Sequence, residues 1–169
     1  MELKHRQIYA EALKLYENLS SCARLHVAAI LVKDGRILSV GYNGTAPGDR
    51  HCNEIFVKDE HGHYYIDPDG PADEYRQTQV SEQEWKERHH AFSEVYEIHA
   101  EMNCIAYATK NHTDVTDCDL VVSISPCVHC AKLILSVGIK HVYYVEEYDR
   151  NATAGIDFLT AHGVTCEKL

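Results

Sequence analysis

Apolar residues at the start of the chain recur every three or four positions, which predicts an amphipathic helix from residue 3 to about residue 20. A short apolar run at 27–32 is typical of a β-strand, and a second run follows at 37–40. The pair Asp34-Gly35 between them favours a tight turn, so the two predicted strands form a hairpin. Residues 41–48 include three glycines, which predicts a loop after the hairpin.

The second half of the chain alternates between helical and extended patterns. Periodicity and apolar runs predict helices at 99–110, 127–137 and 153–161 and strands at 120–124, 141–145 and 164–167. Strands that alternate with helices indicate a layered α/β architecture, with a largely parallel sheet in this half.

The stretch at about 49–98 is polar and less regular. It contains the turn-forming sequence Asp-Pro-Asp-Gly-Pro at 67–71, and helical periodicity returns only at about 81–92. A loop of this length is unusual inside a compact domain unless it has a function or is held by something. Because the chain has 169 residues, we expect a single domain over 1–169 that carries this stretch as an insertion.

Charge and composition exclude several classes of partner. The formal net charge is −10, and no cluster of Lys and Arg is visible, so we expect no nucleic-acid partner. A single nucleotide is compatible with this charge, because one Arg and a few backbone N–H groups can hold a phosphate. The N-terminal residues are polar, and no apolar run approaches the ~20 residues of a membrane span. We therefore expect a soluble cytoplasmic protein without membrane contact.

Two short motifs carry the residues best suited to chemistry, His-Ala-Glu at 99–101 and Pro-Cys-Val-His-Cys at 126–130. His99, Cys127 and Cys130 supply three zinc ligands. A zinc ion with three protein ligands keeps a fourth position for water, which distinguishes catalytic sites from closed structural ones.

The predicted start of the helix at 127–137 suits metal ligation. Ser125 is the predicted N-cap and Pro126 the first helical residue, which places both cysteines in the first turn. The helix dipole and the unpaired N–H groups there favour thiolates. Glu101 is not needed as a ligand and can act as a general acid and base. A structural Cys-x-x-Cys zinc knuckle and a thioredoxin-like redox pair are the alternatives, and neither explains Glu101.

The combined pattern His-x-Glu and Pro-Cys-x-x-Cys resembles the zinc-dependent cytidine deaminase superfamily. The segments at 22–27, 41–44, 99–103 and 125–132 are similar to the deoxycytidylate (dCMP) deaminases, including the phage-type enzymes. The resemblance covers nearly the whole chain. The long separation between Asn43 and His99 matches these enzymes, whereas transfer-RNA adenosine deaminases have a short gap there.

The resemblance implies a three-layer α/β/α fold around a central five-stranded mixed sheet, in a homo-oligomer that is commonly a hexamer. It implies zinc-dependent hydrolysis of dCMP to dUMP and ammonia, which supplies dUMP for thymidylate synthesis, with Glu101 moving the protons. It also assigns substrate contacts to Asn43 for the sugar, Arg24 for the phosphate and Tyr148 beside the substrate. The alternative for Arg24 is an ordinary surface arginine.

A second zinc is implied as well, because in phage-type relatives the insertion is held by zinc bound to two Cys, one His and one Glu. The resemblance assigns these roles to Cys22, Cys52, His89 and Glu97, with His90 as the alternative to His89. Metal binding supplies folding free energy, which would explain how a polar insertion stays ordered. The alternative is a set of unligated thiols and surface histidines.

Members of the resembled family are often activated by dCTP and inhibited by dTTP, sometimes with Mg2+ on the triphosphate. Gly41, Tyr42 and Gly44 lie in the glycine-rich loop, whose backbone N–H groups suit phosphates. Tyr107 and Lys110 match positions tied to the effector response. The second of these positions is typically Arg in phage relatives, and Lys lacks its bidentate fork.

Two other functions are kept as alternatives. One is a deaminase that acts on another nucleoside, nucleotide or base, and the other is a non-catalytic zinc-binding regulatory module. Glu101 argues against the second, because a purely structural site has no use for that carboxylate. Cys104, Cys118 and Cys166 have no assigned role.

Overall fold

The computed structural model describes residues 2–67, 78–147 and 153–169. The helices in these ranges are α1 Leu3–Glu17, α2 Cys52–Ile55, α3 Glu82–Tyr96, α4 Ala100–Lys110, α5 Val128–Ser136 and α6 Ala154–Ala161. The strands are β1 Ala28–Lys33, β2 Arg36–Tyr42, β3 Gly44–Thr45, β4 Phe56–Lys58, β5 Tyr64–Ile66, β6 Thr78–Val80, β7 Glu97–Ile98, β8 Asp119–Ile124, β9 His141–Glu146 and β10 Thr165–Lys168.

The chain divides into two compact units. Met1–Ser20, Val27–Asn43 and His99–Leu169 form the first unit, and Ser21–His26 with Gly44–Ile98 form the second. The described residues of the predicted insertion at 49–98 therefore all belong to the second unit. None of the described helices combines the length and apolar character that a membrane crossing requires.

A five-stranded sheet with the order β10-β9-β8-β1-β2 forms the centre of the first unit. β1 pairs antiparallel with both β2 and β8, whereas β8, β9 and β10 are parallel to one another. The predicted mixed sheet with a parallel second half is thus confirmed.

The first unit has three layers, because neighbouring residues of a strand face opposite sides of the sheet. In β1, Ala29 and Leu31 pack in one core with residues of α4, α5 and α6. Ile30 and Val32 pack in the other core with Tyr9 of α1. Both faces of β1 are buried, which explains why its sequence is a continuous apolar run rather than an alternating one.

The predicted hairpin of β1 and β2 is present, and its turn has the expected chemistry. Asp34 and Gly35 have φ angles of 51° and 73°. Positive φ at both central residues is typical of the type I′ turn, whose twist matches the paired strands. The residue types at positions 34 and 35 therefore favour this hairpin.

Two helix boundaries differ from the prediction, and at each one a backbone group forms a hydrogen bond that the local sequence pattern does not indicate. α1 ends at Glu17 rather than near residue 20, and the Asn18 side chain donates to the carbonyls of Lys14 and Leu15. The prediction that Ser125 caps α5 is wrong, because its N–H donates to Glu146 O and so continues the sheet.

Cys127 is the N-cap of α5 instead, and Pro126 precedes the helix. Cys130 consequently lies in the first turn, whereas Cys127 lies just before it. The side chains of both cysteines remain at the start of the helix, which is what the proposed ligation requires.

The stretch at 49–98 is more regular than its sequence indicates. α2, the three-stranded antiparallel sheet β4-β5-β6 and α3 occupy much of the described part. The helical periodicity at 81–92 is confirmed by α3, and Ser81 accepts a hydrogen bond from Glu84 N–H as its N-cap. The prediction of a glycine loop at 41–48 is wrong in part, because β2 extends to Tyr42 and β3 pairs with β7.

Gly41 allows β2 to pass against the backbone of α4. A Cβ atom at this position would overlap Ala100 O and the N and Cα atoms of Cys104. Because these are backbone atoms of a helix, they cannot move aside as the end of a flexible side chain could.

We expect Gly41→Val to lower the free energy of unfolding by roughly 3 kcal/mol, since the core would be overpacked against a rigid helix. Urea denaturation of the variant and the wild type measures this difference. Arg36→Ala, at an exposed position of the same strand, is the control and should change stability little. Equal stability of Gly41→Val and wild type would contradict the close approach.

Candidate functional site

Three side chains from the two motifs meet at the beginnings of α4 and α5. His99 is the N-cap of α4, and its Nδ1 lies 3.5 Å from Cys127 Sγ and 3.4 Å from Cys130 Sγ. The three potential ligand atoms all lie within 4.8 Å of one another. This set of one imidazole and two thiols is the one predicted from the sequence, and its chemistry suits zinc.

The pKa values of the two thiols in this cluster are shifted in opposite directions. Hydrogen bonds with Cys130 and then with His99 lower the pKa of Cys127 to about 3. The pKa of Cys130 is strongly raised, first by its hydrogen bond with Cys127 and then by burial. These opposite shifts favour a state with one thiolate and one protonated thiol. A metal ion can replace that proton, because its ligands must be deprotonated.

Glu101 lies beside this cluster but is not one of its three members. It is the second residue of α4 and only 4% exposed. Burial raises the pKa of its carboxyl, while the nearby His99 and a hydrogen bond with Cys130 lower it. A buried carboxylate next to three ligand groups, and separate from them, is suited to moving protons.

A second cluster lies within the second unit. The ligand atoms of Cys22, Cys52, His89 and Glu97 all lie within 4.8 Å of one another, and Cys22 Sγ is 3.4 Å from His89 Nε2. His90 is exposed instead, with its Nδ1 3.9 Å from Glu94 Oε1. The structure thus brings His89, and not His90, to the other three residues.

Backbone and thiol hydrogen bonds organise the sulfur atoms of this cluster. Ala23 N–H donates to Cys52 Sγ at 3.4 Å, and Leu25 N–H donates to Cys22 Sγ at 3.5 Å. The hydrogen bond with Cys52 lowers the pKa of Cys22 to about 3, whereas the pKa of Cys52 is strongly raised by the same bond. These shifts, like those of the first pair, favour one thiolate and one protonated thiol, and a metal ion could replace the remaining proton.

Glu97 adds an acceptor to this cluster that lacks a partner. Its Oε1 is buried and has no hydrogen-bond partner among the described residues. Burial raises the pKa of its carboxyl. Buried polar atoms are nearly always paired, so an orphaned carboxylate oxygen beside two thiols and an imidazole fits a metal ligand.

Aromatic rings hold the histidine of the second cluster. The Trp85 ring stacks on His89 at 5.2 Å between centroids, and Phe56 meets His89 edge-on at the same distance. We did not single out either ring from the sequence. The spacing of Trp85 and His89, four residues apart on one helix, was the available signal.

Asn43 is buried and firmly oriented. Its Oδ1 accepts hydrogen bonds from Ser20 Oγ at 2.7 Å and from Val27 N–H at 2.9 Å, and its own N–H donates to Val27 O. Both lone pairs of Oδ1 are thus engaged, and Nδ2 is the donor atom of this side chain. Ser20 was missed in the sequence, where it was seen only as the end of a helix.

Most of the other residues predicted to contact the substrate or an effector are exposed or lie in strands. The side chain of Arg24 is exposed, and Tyr148 lies outside the described residues. Tyr42 and Tyr107 are also exposed, as is Lys110, and Asn103 Nδ2 donates to Tyr42 O at 2.8 Å. Gly41 and Gly44 belong to strands, so the expected phosphate-binding loop is shorter than the sequence indicated.

A family model and several known proteins that are similar to this chain all indicate the same family. The cytidine and deoxycytidylate deaminase zinc-binding region matches residues 2–146. Deoxycytidylate deaminase of Enterobacteria phage T2 is 34% identical over 157 residues, which cover 86% of this chain and 81% of the phage protein. The human deoxycytidylate deaminase is 31% identical over 144 residues, covering 83% of this chain and 65% of the human protein.

A solved structure is similar over its full length. The dCMP deaminase of cyanophage S-TIM5, in complex with dCMP and dUMP, has a TM-score of 0.72 and 30% identity. The alignment covers 100% of this chain and 99% of the cyanophage protein. A diaminohydroxyphosphoribosylaminopyrimidine deaminase/reductase of Thermotoga maritima, at 21% identity and a TM-score of 0.57, shares the fold.

Proposed function

Since this chain belongs to the cytidine and deoxycytidylate deaminase family, we propose that it hydrolyses dCMP to dUMP and ammonia. The observation that carries the proposal is the buried Glu101 carboxylate beside the cluster of His99, Cys127 and Cys130. The choice of dCMP is supported by the full-length similarity to the cyanophage enzyme solved with dCMP and dUMP.

His99, Cys127 and Cys130 would hold the catalytic zinc, and their donor types and mutual distances fit that ion. When bound, zinc lowers the pKa of a coordinated water towards ~7 and makes a nucleophile available at neutral pH. In the overall reaction a bond forms from water oxygen to C4 of the cytosine ring, and the bond from C4 to the amino nitrogen breaks.

Glu101 moves the protons of this reaction. Its carboxylate would accept one proton from the water and pass it to N3 of the ring. It would then carry the remaining proton of the attacking oxygen to the amino group, which leaves as ammonia as the C4 carbonyl forms. Such a group must both take and release a proton. Burial favours its neutral form, while His99 and Cys130 favour its anion, so neither form is excluded.

Two further residues are proposed to bind the nucleotide. Asn43 would donate from Nδ2 to a sugar hydroxyl, which agrees with the engagement of its Oδ1 by Ser20 and Val27. Arg24 would contact the phosphate, for which an exposed guanidinium is well suited. Tyr148 remains a proposed contact from the family resemblance alone.

Cys22, Cys52, His89 and Glu97 would hold a second, structural zinc. Four protein ligands close a tetrahedral site, which is the usual arrangement for structural zinc. The four side chains come from α2, α3, β7 and the segment before β1, so one ion would tie together distant parts of the second unit.

Regulation by dCTP and dTTP, with Mg2+ on the triphosphate, and assembly into a hexamer are proposed from the family resemblance. Exposed Tyr42, Tyr107 and Lys110 are available to an effector. Because Gly41 packs against α4, the effector proposal depends more on these three side chains than on the glycines. The product dUMP would serve thymidylate synthesis.

We expect Glu101→Gln to lower kcat for dCMP by about 10²- to 10⁴-fold, because the amide cannot accept and return a proton. Metal content should remain that of the wild type, since Glu101 is not among the ligand groups. Ammonia release and zinc analysis measure the two quantities. Glu94→Gln, at an exposed position, is the matched control. Wild-type activity of Glu101→Gln would refute the assignment.

The second zinc predicts a metal content of about two ions per chain. Cys52→Ala should reduce this to about one and lower the melting temperature, because the remaining ligands lose both an anchor and the folding free energy of the ion. Cys166→Ala removes a thiol outside both clusters and should keep two ions. A wild-type chain with one zinc that survives Cys52→Ala would show that the second site does not exist.

The substrate is tested by ammonia release from deoxycytidine, dCMP and dCTP, each with and without dCTP or dTTP as effector. We expect dCMP to be preferred, and Arg24→Gln to raise its KM about tenfold while leaving deoxycytidine unchanged, because only the nucleotide has a phosphate. Preference for another substrate would favour a different deaminase, and no ammonia from any would favour a non-catalytic zinc module. Deamination rates that change with neither dCTP nor dTTP would contradict the regulatory proposal.

A further inference from the structure

We propose that Ser93 is a positioning residue for the second metal centre, where its hydroxyl engages one oxygen of Glu97 and leaves the other to bind the metal. This inference rests on the proposed second zinc and adds how its carboxylate ligand is oriented. Ser93 belongs to neither of the sequence motifs and is not one of the four ligands.

Ser93 and Glu97 are joined by two hydrogen bonds at the end of α3. Ser93 Oγ donates to Glu97 Oε2 at 2.7 Å, and Glu97 N–H donates to Ser93 O. Glu97 is the C-cap residue and has extended φ and ψ angles of −89° and 130°. Together these bonds fix both the backbone and the side chain of Glu97 relative to the helix.

The two oxygens of the Glu97 carboxylate therefore have different surroundings. Oε2 is paired with Ser93, whereas Oε1 is buried without a hydrogen-bond partner in the described part of the chain. Leaving a buried acceptor unpaired costs about 1–3 kcal/mol, and more for a charged group. A cation placed among Cys22, Cys52 and His89 would be the missing partner of Oε1.

The face of α3 that holds this site has a regular spacing. Trp85, His89 and Ser93 follow one another at intervals of four residues along one side of α3, and the C-cap Glu97 comes four residues later. Trp85 stacks on the ligand His89, and Ser93 bonds to the ligand Glu97. Each ligand from this segment thus has a neighbour four residues earlier that orients it.

The hydroxyl also determines how many oxygens the carboxylate gives to the metal. With Oε2 held by Ser93, Glu97 contributes one atom, and the two thiolates and the imidazole complete a four-coordinate site. In Ser93→Ala, Oε2 is released and can join Oε1, which changes the coordination number. Residues that hydrogen-bond to metal ligands typically account for 10- to 100-fold in metal affinity.

The test uses the full-length zinc protein with a chelator competition that follows zinc release. The phase that Cys52→Ala lacks identifies the second site. We expect Ser93→Ala to weaken zinc at that site by about 10- to 100-fold, and Ser93→Thr, which keeps the hydroxyl, to restore most of the affinity. Ser136→Ala removes an exposed helical hydroxyl on α5 and should match the wild type.

Cobalt(II) substitution provides a readout that a loss of stability alone would not change. The visible spectrum of the second site should indicate four-coordinate metal in the wild type and Ser93→Thr, and a higher coordination number in Ser93→Ala. Wild-type zinc affinity and an unchanged cobalt spectrum in Ser93→Ala would overturn the inference. A wild-type protein that binds one zinc and deaminates dCMP would overturn it differently, by removing the second metal while the proposed activity stands.

Discussion

Two neighbouring thiols readily lose both of their protons only when a cation takes the place of those protons, and this constraint applies twice in this chain. Cys127 and Cys130 form one such pair, and Cys22 and Cys52 form the other. In each pair the pKa of one thiol is strongly lowered and that of the other is raised, which favours one thiolate and one protonated thiol. Each pair also faces an imidazole, and the fourth group decides how the two centres differ.

The first centre is built on elements that the central sheet places. His99 and Cys127 are N-cap residues of α4 and α5, both of which pack on the same face of the sheet. An N-cap residue has an extended backbone, so its side chain leaves the helix where the backbone N–H groups are unpaired. The close approach at Gly41 fixes α4 against β2 and so positions His99 and Glu101 with respect to the sheet. The ligand geometry is in this sense a consequence of backbone packing.

Local patterns predicted the parts of the molecule that local chemistry determines. Asp34-Gly35 indicated the hairpin because a type I′ turn needs those residue types, and the spacing of Cys127 and Cys130 indicated the first cluster. The sheet β4-β5-β6 was missed because its strands have three residues each, too few for an alternating pattern. The start of α5 was misplaced because a bond from Ser125 to the distant Glu146 overrides the capping preference. Neither the pairing of these short strands nor the Ser125–Glu146 hydrogen bond can be predicted from the local sequence pattern.

Glu97 and Glu101 show how surroundings separate the roles of one residue type. Glu97 is the C-cap of α3 and supplies one of four mutually close ligand atoms. One of its oxygens is engaged by Ser93, and the other has no hydrogen-bond partner among the described residues. Glu101 instead begins α4, where the helix dipole and His99 stabilise the anion while burial stabilises the acid. A ligand must stay ionised and in one place, whereas a proton carrier must change its charge during each turnover. Burial raises the pKa of both carboxyls, so position and support distinguish them. Ser93 holds Glu97 as one of four mutually close ligand atoms, whereas Glu101 lies beside its cluster without being one of the three ligand groups.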